Sequence, residues 1–167
     1  MRLALRVWLA AAATSVAAAA LVTNAAALSI TTAAITFPDV TLDGSTVVVT
    51  GSTSAWRADG TGENGGWNIT VASTDFSNGA GKTIAVSNFQ VRLLDTNIVV
   101  VSGNTKPAST QTTFATLSGT ALKIASAAVS EGNGVYDLTP DFRLTVPAET
   151  YAGNYTATVT IVISAGP

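Results

Sequence analysis

Apolar and polar residues alternate with a period of two through much of this chain, and that spacing limits the folds it can adopt. In residues 155–163 one side carries tyrosine, alanine and β-branched apolar residues, and the other carries threonines. Residues 67–71 and 141–146 have the same pattern. A half-buried strand has this alternation, whereas a helix needs apolar residues three and four positions apart. The sequence therefore predicts β-strands rather than helices.

Many short strands separated by turn-forming residues are expected. The further candidates are residues 30–37, 46–50, 88–94, 97–102 and 120–125. We interpret the Gly-rich, polar residues 52–66 as one long loop, and the periodicity of residues 108–117 decides nothing between loop, strand and short helix. Short strands with frequent turns are typical of a sandwich or barrel. We predict an all-β fold, a single antiparallel β-sandwich of immunoglobulin-like architecture over residues 28–167.

The first 27 residues have the features of a secretory signal peptide. Arg2 and Arg6 precede an apolar, alanine-rich run over residues 7–23, and small residues follow at positions 24–27. The run is shorter than the roughly 20 apolar residues that span a membrane. We therefore expect a cleaved leader and a secreted, cell-surface protein. We also expect no membrane span in the mature chain and no covalent anchor.

Composition excludes several classes of function. The sequence has no cysteine and no histidine, so it can form no disulfide, thiolate zinc site or Ser-His-Asp triad. Lys and Arg number 8 against 10 Asp and Glu, a net charge of −2, which argues against a nucleic-acid partner. Because the carboxylates show no special spacing either, we predict that the protein is not an enzyme.

Two acidic segments are candidate sites. Asp59 and Glu63 offer oxygen ligands that calcium accepts, but their spacing departs from the calcium-loop pattern, so a polar loop is the preferred interpretation and no cofactor is expected. Glu131, Asp137 and Asp141 could supply a carboxylate pair for glycoside hydrolysis. A turn with solvated charges is the simpler interpretation of that second segment.

Two tryptophans have different expected environments. Trp67 follows a glycine pair and begins an alternating run, which indicates a core position. Trp56 stands beside Arg57 in the predicted loop. An exposed aromatic ring can stack on a sugar or a partner protein, so Trp56 and Arg57 are the candidate surface contact.

Two segments resemble the bacterial WxL surface domain. The run of residues 66–71, Gly-Trp-Asn-Ile-Thr-Val, is similar to the first motif of that family, and residues 151–160, with a tyrosine before a threonine-rich strand, are similar to the distal motif. The resemblance covers about residues 51–167. The family-motif positions are Trp67, Ile69, Tyr155, Ile161 and Ile163. The chain has isoleucine at position 69 where the family has leucine, and at 161 and 163 where it has tryptophan and leucine.

The resemblance implies an extracellular β-sandwich that attaches non-covalently to the cell envelope through peptidoglycan and contacts other surface proteins. The low charge and the Thr, Ala and Val content favour an alternative, a self-assembling subunit of an extracellular fibre or surface layer. In that alternative, residues 28–40 pair with the open sheet edge of a neighbouring copy. The simpler interpretation makes this run the first strand of its own domain.

Overall fold

The computed structural model describes residues 12–15 and 28–167. In these residues the secondary structure is β-strand apart from two short 3₁₀ turns, Val86–Asn88 and Asp95–Asn97. The strands, in chain order, are β1 (Ala12–Ser15), β2 (Ser29–Thr31), β3 (Val47–Gly51), β4 (Trp56–Asp59), β5 (Trp67–Ser73), β6 (Phe76–Ser77), β7 (Thr83–Ile84), β8 (Phe89–Arg92), β9 (Ile98–Gly103), β10 (Ala108–Ser109), β11 (Ala115–Thr116), β12 (Leu122–Ala127), β13 (Gly134–Leu138), β14 (Asp141–Val146) and β15 (Thr158–Ala165).

The strands form three main sheets and one two-stranded ribbon. A five-stranded sheet has the order β1-β15-β5-β12-β10, and two four-stranded sheets have the orders β11-β8-β14-β3 and β2-β4-β13-β9. The ribbon pairs β6 with β7. Within the described residues every strand pair is antiparallel except β1 with β15. The prediction of an all-β antiparallel sandwich is confirmed.

The period-two pattern of the sequence becomes alternating burial in the strands. Along β14, Phe142, Leu144 and Val146 are buried while the residues between them are partly exposed. β5 alternates in the same way over its seven residues. In β15, Val159 and Ile161 are buried. Each strand thus turns one apolar face towards a common interior, as successive side chains of a strand point to opposite faces.

Phe89 lies at the centre of an aromatic cluster in that interior. Its ring stacks on Phe142 at 5.5 Å between centroids, and it meets Phe76 at 5.2 Å and Phe37 at 5.9 Å, both edge-on. Trp56 also packs against Phe142, with the ring centroids 5.8 Å apart. Because these residues come from sheets and segments far apart in sequence, the cluster joins the layers of the sandwich.

Two sequence expectations for strand positions need correction, and one open question is answered. Residues 52–66 are not one long loop, because they contain β4, which lies between β2 and β13. The second acidic segment, with Glu131, Asp137 and Asp141, is not a turn throughout, because Asp137 lies in β13. Residues 108–117, left undecided, hold the short strands β10 and β11. All of these strands are short, so alternation within them is too brief to identify from sequence.

The run of residues 28–40 belongs to its own domain. Its first part, β2, pairs with β4, and Thr36 bridges Ser52 in antiparallel fashion. Ile35 and Phe37 are buried in the core. This agrees with the simpler interpretation of the run. Addition of this run to the sheet edge of a neighbouring copy stays a prediction.

Most of the predicted leader, residues 1–11 and 16–27, lies outside the described residues. Ala12–Ser15 is described and pairs in parallel with β15, with Ala12 opposite Thr158 and Ser15 opposite Ile161. Removal of the leader therefore stays a prediction. None of the residues that the structure describes form a helix long and apolar enough to cross a membrane.

The central position of Phe89 gives a stability prediction. We expect Phe89→Ala to lower the free energy of unfolding by about 3–5 kcal/mol, because it removes apolar contacts and leaves a cavity. Urea denaturation followed by circular dichroism measures the change. Val48→Ala is the control, because Val48 is 56 % exposed on β3 and its loss should cost within about 0.5 kcal/mol. Equal losses in the two variants would contradict the assigned core.

Candidate functional site

The two motif segments, far apart in sequence, lie on adjacent strands. In the antiparallel register of β5 with β15, Ile69 is opposite Ile163 and Val71 is opposite Ile161. Ile69 and Ile161 are buried, and Ile163 is partly buried against the same core. Three of the five motif positions, Ile69, Ile161 and Ile163, therefore lie on one apolar ladder across two strands.

The end of the chain is fastened to the first motif. Ala165 is opposite Trp67 in the strand register, the Asn68 side-chain amide donates to the Gly166 carbonyl at 2.7 Å, and the Gly166 N–H donates to the Gly66 carbonyl at 2.9 Å. These bonds continue the ladder past the last strand residue. The first motif is thereby joined to the C-terminal segment through both backbone and side chain.

The Trp67 side chain is buried in a site formed by Gly60, Gly132 and Tyr136, here called the Trp67 slot. The two glycines leave room for the indole because they have no side chain. The indole Nε1–H donates to the Gly132 carbonyl at 2.9 Å, and the indole ring lies 6.1 Å from that of Tyr136. A Cβ on Gly132 would lie 2.5 Å from Nε1, and one on Gly60 would lie 2.6 Å from it. The expectation that Trp67 is a core residue is confirmed.

Asparagines bind together the loops around the Trp67 slot. The Asn133 side chain accepts from the Gly62 N–H at 2.9 Å and donates to the Asn64 side chain at 3.1 Å. The Asn133 N–H in turn donates to Asn104 Oδ1 at 2.9 Å. These contacts join three loops at one end of the sandwich. Sequence reasoning missed them, and the only signal was asparagine next to glycine in each loop.

The two calcium candidates, Asp59 and Glu63, accept hydrogen bonds from backbone N–H groups of their own segment. Asp59 Oδ1 accepts from the Thr61 N–H at 2.9 Å, and Glu63 Oε1 accepts from the Gly65 N–H at 2.6 Å. Hydrogen bonding from the side chain and backbone of Thr61 lowers the pKa of Asp59. In the part of the chain that the structure describes, no group of three or more acidic residues is arranged to hold a metal ion. This geometry fits the polar-loop interpretation.

The prediction that Trp56 is an exposed contact is wrong. Its side chain is fully buried, its Nε1–H donates to Thr53 Oγ1 at 3.2 Å, and its ring packs on Phe142. Trp56 starts β4, and the alternation of that strand turns position 56 inward and Arg57 outward. Arg57 does lie on the surface, where it pairs with Asp137.

Two of the three carboxylates of the second acidic segment, Asp137 and Asp141, form ion pairs with arginines. The Arg57 guanidinium donates to both oxygens of Asp137 at 2.9 Å, and Arg92 Nε donates to Asp141 at 2.8 Å. The hydrogen bonds from Arg57 lower the pKa of Asp137, and the same contact raises the pKa of Arg57. Each of these two carboxylates is therefore held by an arginine of the neighbouring strand.

A surface groove of about 290 Å³, here called the Tyr151 groove, lies at the other end of the motif strands. Tyr151 is 61 % exposed, and Lys82 Nζ lies 4.0 Å from the centroid of its ring. The lining residues are Gly81, Lys82, Thr83, Pro147, Glu149, Thr150, Tyr151 and Tyr155. The groove brings together an aromatic face, a cation and a carboxylate at the surface.

Hydrogen bonds fix both walls of the Tyr151 groove. The Tyr155 hydroxyl donates to the Tyr151 carbonyl at 3.0 Å, and burial raises the pKa of that hydroxyl. Asn78 Oδ1 accepts from the Lys82 N–H at 3.0 Å, which closes the turn between β6 and β7. Backbone bonds of 2.8 and 2.9 Å join Ser77 to Thr156. Tyr155, a family-motif position, thus supports the groove from beneath. Nothing in the sequence indicated that Lys82 meets Tyr151.

Comparisons with known proteins identify one family. The profile of the WxL domain, described as surface cell wall-binding, matches residues 57–167. No curated protein matches the chain. Among solved structures, a family 123 glycoside hydrolase from Clostridium perfringens, studied for glycolipid glycan hydrolysis, is similar at 12% identity and a TM-score of 0.34. That similarity covers 74% of this chain and 21% of the enzyme chain, about a fifth of its length, and it is too low to support any conclusion.

The Trp67 slot predicts different costs for two alanine substitutions. Gly132 and Gly79 have nearly the same φ, 70° and 71°. An added Cβ would lie 2.5 Å from Trp67 Nε1 at Gly132, but at Gly79 it would have no atom within 4 Å. We expect Gly79→Ala to cost about 1–2 kcal/mol of unfolding free energy from backbone strain alone. Gly132→Ala should cost about 1–3 kcal/mol more, because the side chain overpacks the slot. Urea denaturation compares them, and equal costs would disprove the close packing.

Because Arg57 lowers the pKa of Asp137, we expect removal of the arginine charge to change the titration of that carboxyl group. Because the carboxylate is favoured in the folded protein, the pair stabilises the fold above the ordinary Asp pKa of about 3.9, and this contribution is lost as the pH falls through the lowered value. Arg57→Gln should move the pKa of Asp137 back towards the ordinary value. The pKa of Asp59, set by Thr61, should not move. Carboxyl NMR shifts against pH measure both, and an unchanged Asp137 would contradict the pairing.

Proposed function

The chain belongs to the WxL family of surface cell wall-binding domains, and we propose that it is a non-catalytic module that attaches non-covalently to the peptidoglycan of the cell envelope. The observation that carries the proposal is the family match over residues 57–167. This match includes both motif strands and the whole Tyr151 groove. Other surface proteins are the secondary class of partner.

The carboxylate geometry also favours binding over catalysis. Asp137 and Asp141 are each held by an arginine, and Asp59 and Glu63 accept hydrogen bonds from their own loop. Acid and base catalysis by a carboxylate pair requires both groups to face a substrate across a cleft. Groups tied to neighbouring side chains and turns do not meet that requirement.

The motif residues support attachment indirectly. Ile69 and Ile161 lie in the interior, where a β-branched side chain meets the requirement of a buried strand position. A ligand as large as a wall polymer contacts surface groups and not these buried ones. Isoleucine in place of the tryptophan of the family is therefore compatible with attachment, provided that the contact surface lies elsewhere on the domain.

Co-sedimentation tests the proposal. The full chain, produced in a host that exports it, is mixed with peptidoglycan sacculi freed of protein, and pellet and supernatant are compared over a range of sacculus concentrations. We expect saturable transfer of the protein to the pellet. A tube without sacculi is the control for self-assembly. Protein that stays in the supernatant at every sacculus concentration would refute attachment to peptidoglycan.

A further inference from the structure

We propose that the Tyr151 groove binds an amino-sugar glycan that carries carboxylate groups, with the sugar face on Tyr151 and the carboxylate on Lys82. This inference rests on the proposed attachment to peptidoglycan and assigns it to a site. The groove, the exposure of its aromatic residue and the charge of its rim each support the assignment.

Tyr151 differs from every other aromatic residue in residues 28–167. The tryptophans and the other tyrosines there are buried, and the phenylalanines are buried or half-buried, whereas Tyr151 is 61 % exposed. Lys82 Nζ lies over one face of this ring, and the other face, with the hydroxyl at its edge, suits the mixed apolar and hydroxyl surface of a sugar ring. Because its carbonyl is held by Tyr155, the ring is presented from a fixed backbone.

Lys82 adds a cation with no carboxylate partner. Within the residues that the structure describes, the ion pairs are those of Arg57 with Asp137 and Arg92 with Asp141, and the Lys82 ammonium lies over the Tyr151 ring. The sequence as a whole has a net charge of −2. An available ammonium beside an aromatic face therefore favours a ligand that carries its own negative charge next to a sugar.

Glu149 and the groove dimensions narrow the ligand further. Glu149 lines the same groove and can accept hydrogen bonds from hydroxyl or amide N–H groups, both of which an N-acylated amino sugar supplies. A volume of about 290 Å³ lies just below the range of small-molecule sites, which is about 300 to 1,000 Å³. A glycan that crosses the groove with one ring seated on Tyr151 matches this size.

Site variants test the assignment on the full chain. Tyr151→Ala should weaken co-sedimentation with peptidoglycan about tenfold, because the stacking contact is lost. Lys82→Met should weaken it several-fold and reduce its sensitivity to salt, because a screened charge contact is lost. Tyr151→Phe and Lys82→Arg should stay within about threefold of the parent protein. Lys123→Met, on β12, is the control for charge, and Val129→Ala is the control for exposed apolar surface.

The outcomes separate the site from the function. If the parent protein binds and Tyr151→Ala and Lys82→Met bind equally well with unchanged thermal unfolding, the groove assignment is overturned and attachment stands. If the parent protein does not bind at all, attachment fails and the groove assignment fails with it. Sacculi stripped of phosphate-containing polymers are compared with unstripped walls. Binding that depends on Tyr151 only in unstripped walls would overturn the carboxylate ligand in favour of a phosphate polymer.

Discussion

The antiparallel pairing of β5 with β15 is the contact on which the rest of the domain depends. It joins residues 67–73 to residues 159–165 and forms the centre of the five-stranded sheet. Since the last strand completes this sheet, the core cannot close until the C-terminal segment is available. Contacts of such long sequence separation also slow folding, because the intervening chain must lose conformational entropy before the two strands can pair. An exported chain that completes its fold late is consistent with passage through a membrane in an unfolded state.

The two ends of this strand pair have different roles. At one end, the Trp67 slot and the asparagine loops make a closed, hydrogen-bonded cap with the ring in the interior. At the other end, Tyr155 and the turn at Asn78 hold an open groove with an exposed ring and an ammonium group. Each end contains an aromatic residue at a motif position. Trp67 stabilises the fold, and Tyr155 supports the surface of the groove.

Sequence patterns predicted the fold well where alternation runs over several residues. β5, β14 and β15 have long enough runs for period two to be unambiguous, and the buried faces agree with those expected. β4 was missed because only Trp56 and Ala58 face the core, and Arg57 with the glycines beyond gave the segment a loop-like composition. The same context led to the wrong prediction of an exposed Trp56.

The candidate site was less accessible from sequence than the fold. Trp67 was correctly assigned to the core because a strand pattern continues from it. Lys82 and Tyr151 stand in turns without periodicity, and the bridge of Ser77 with Thr156 brings those turns together. Tertiary contacts of this kind leave no local signal. The need for glycine at positions 60 and 132 likewise depends on the tertiary structure, because a Cβ at either position would collide with the Trp67 indole.

The burial of Trp56 and Trp67 determines what an optical signal from this domain can report. Both indoles are fully removed from water, and each donates its N–H within the protein. The remaining tryptophan, Trp8, belongs to the predicted leader. Tryptophan emission of the processed protein should therefore move to longer wavelength when the core opens. A polymer bound at Tyr151 should leave that emission unchanged. Intrinsic fluorescence can therefore show whether a variant is folded, independently of its affinity for the wall.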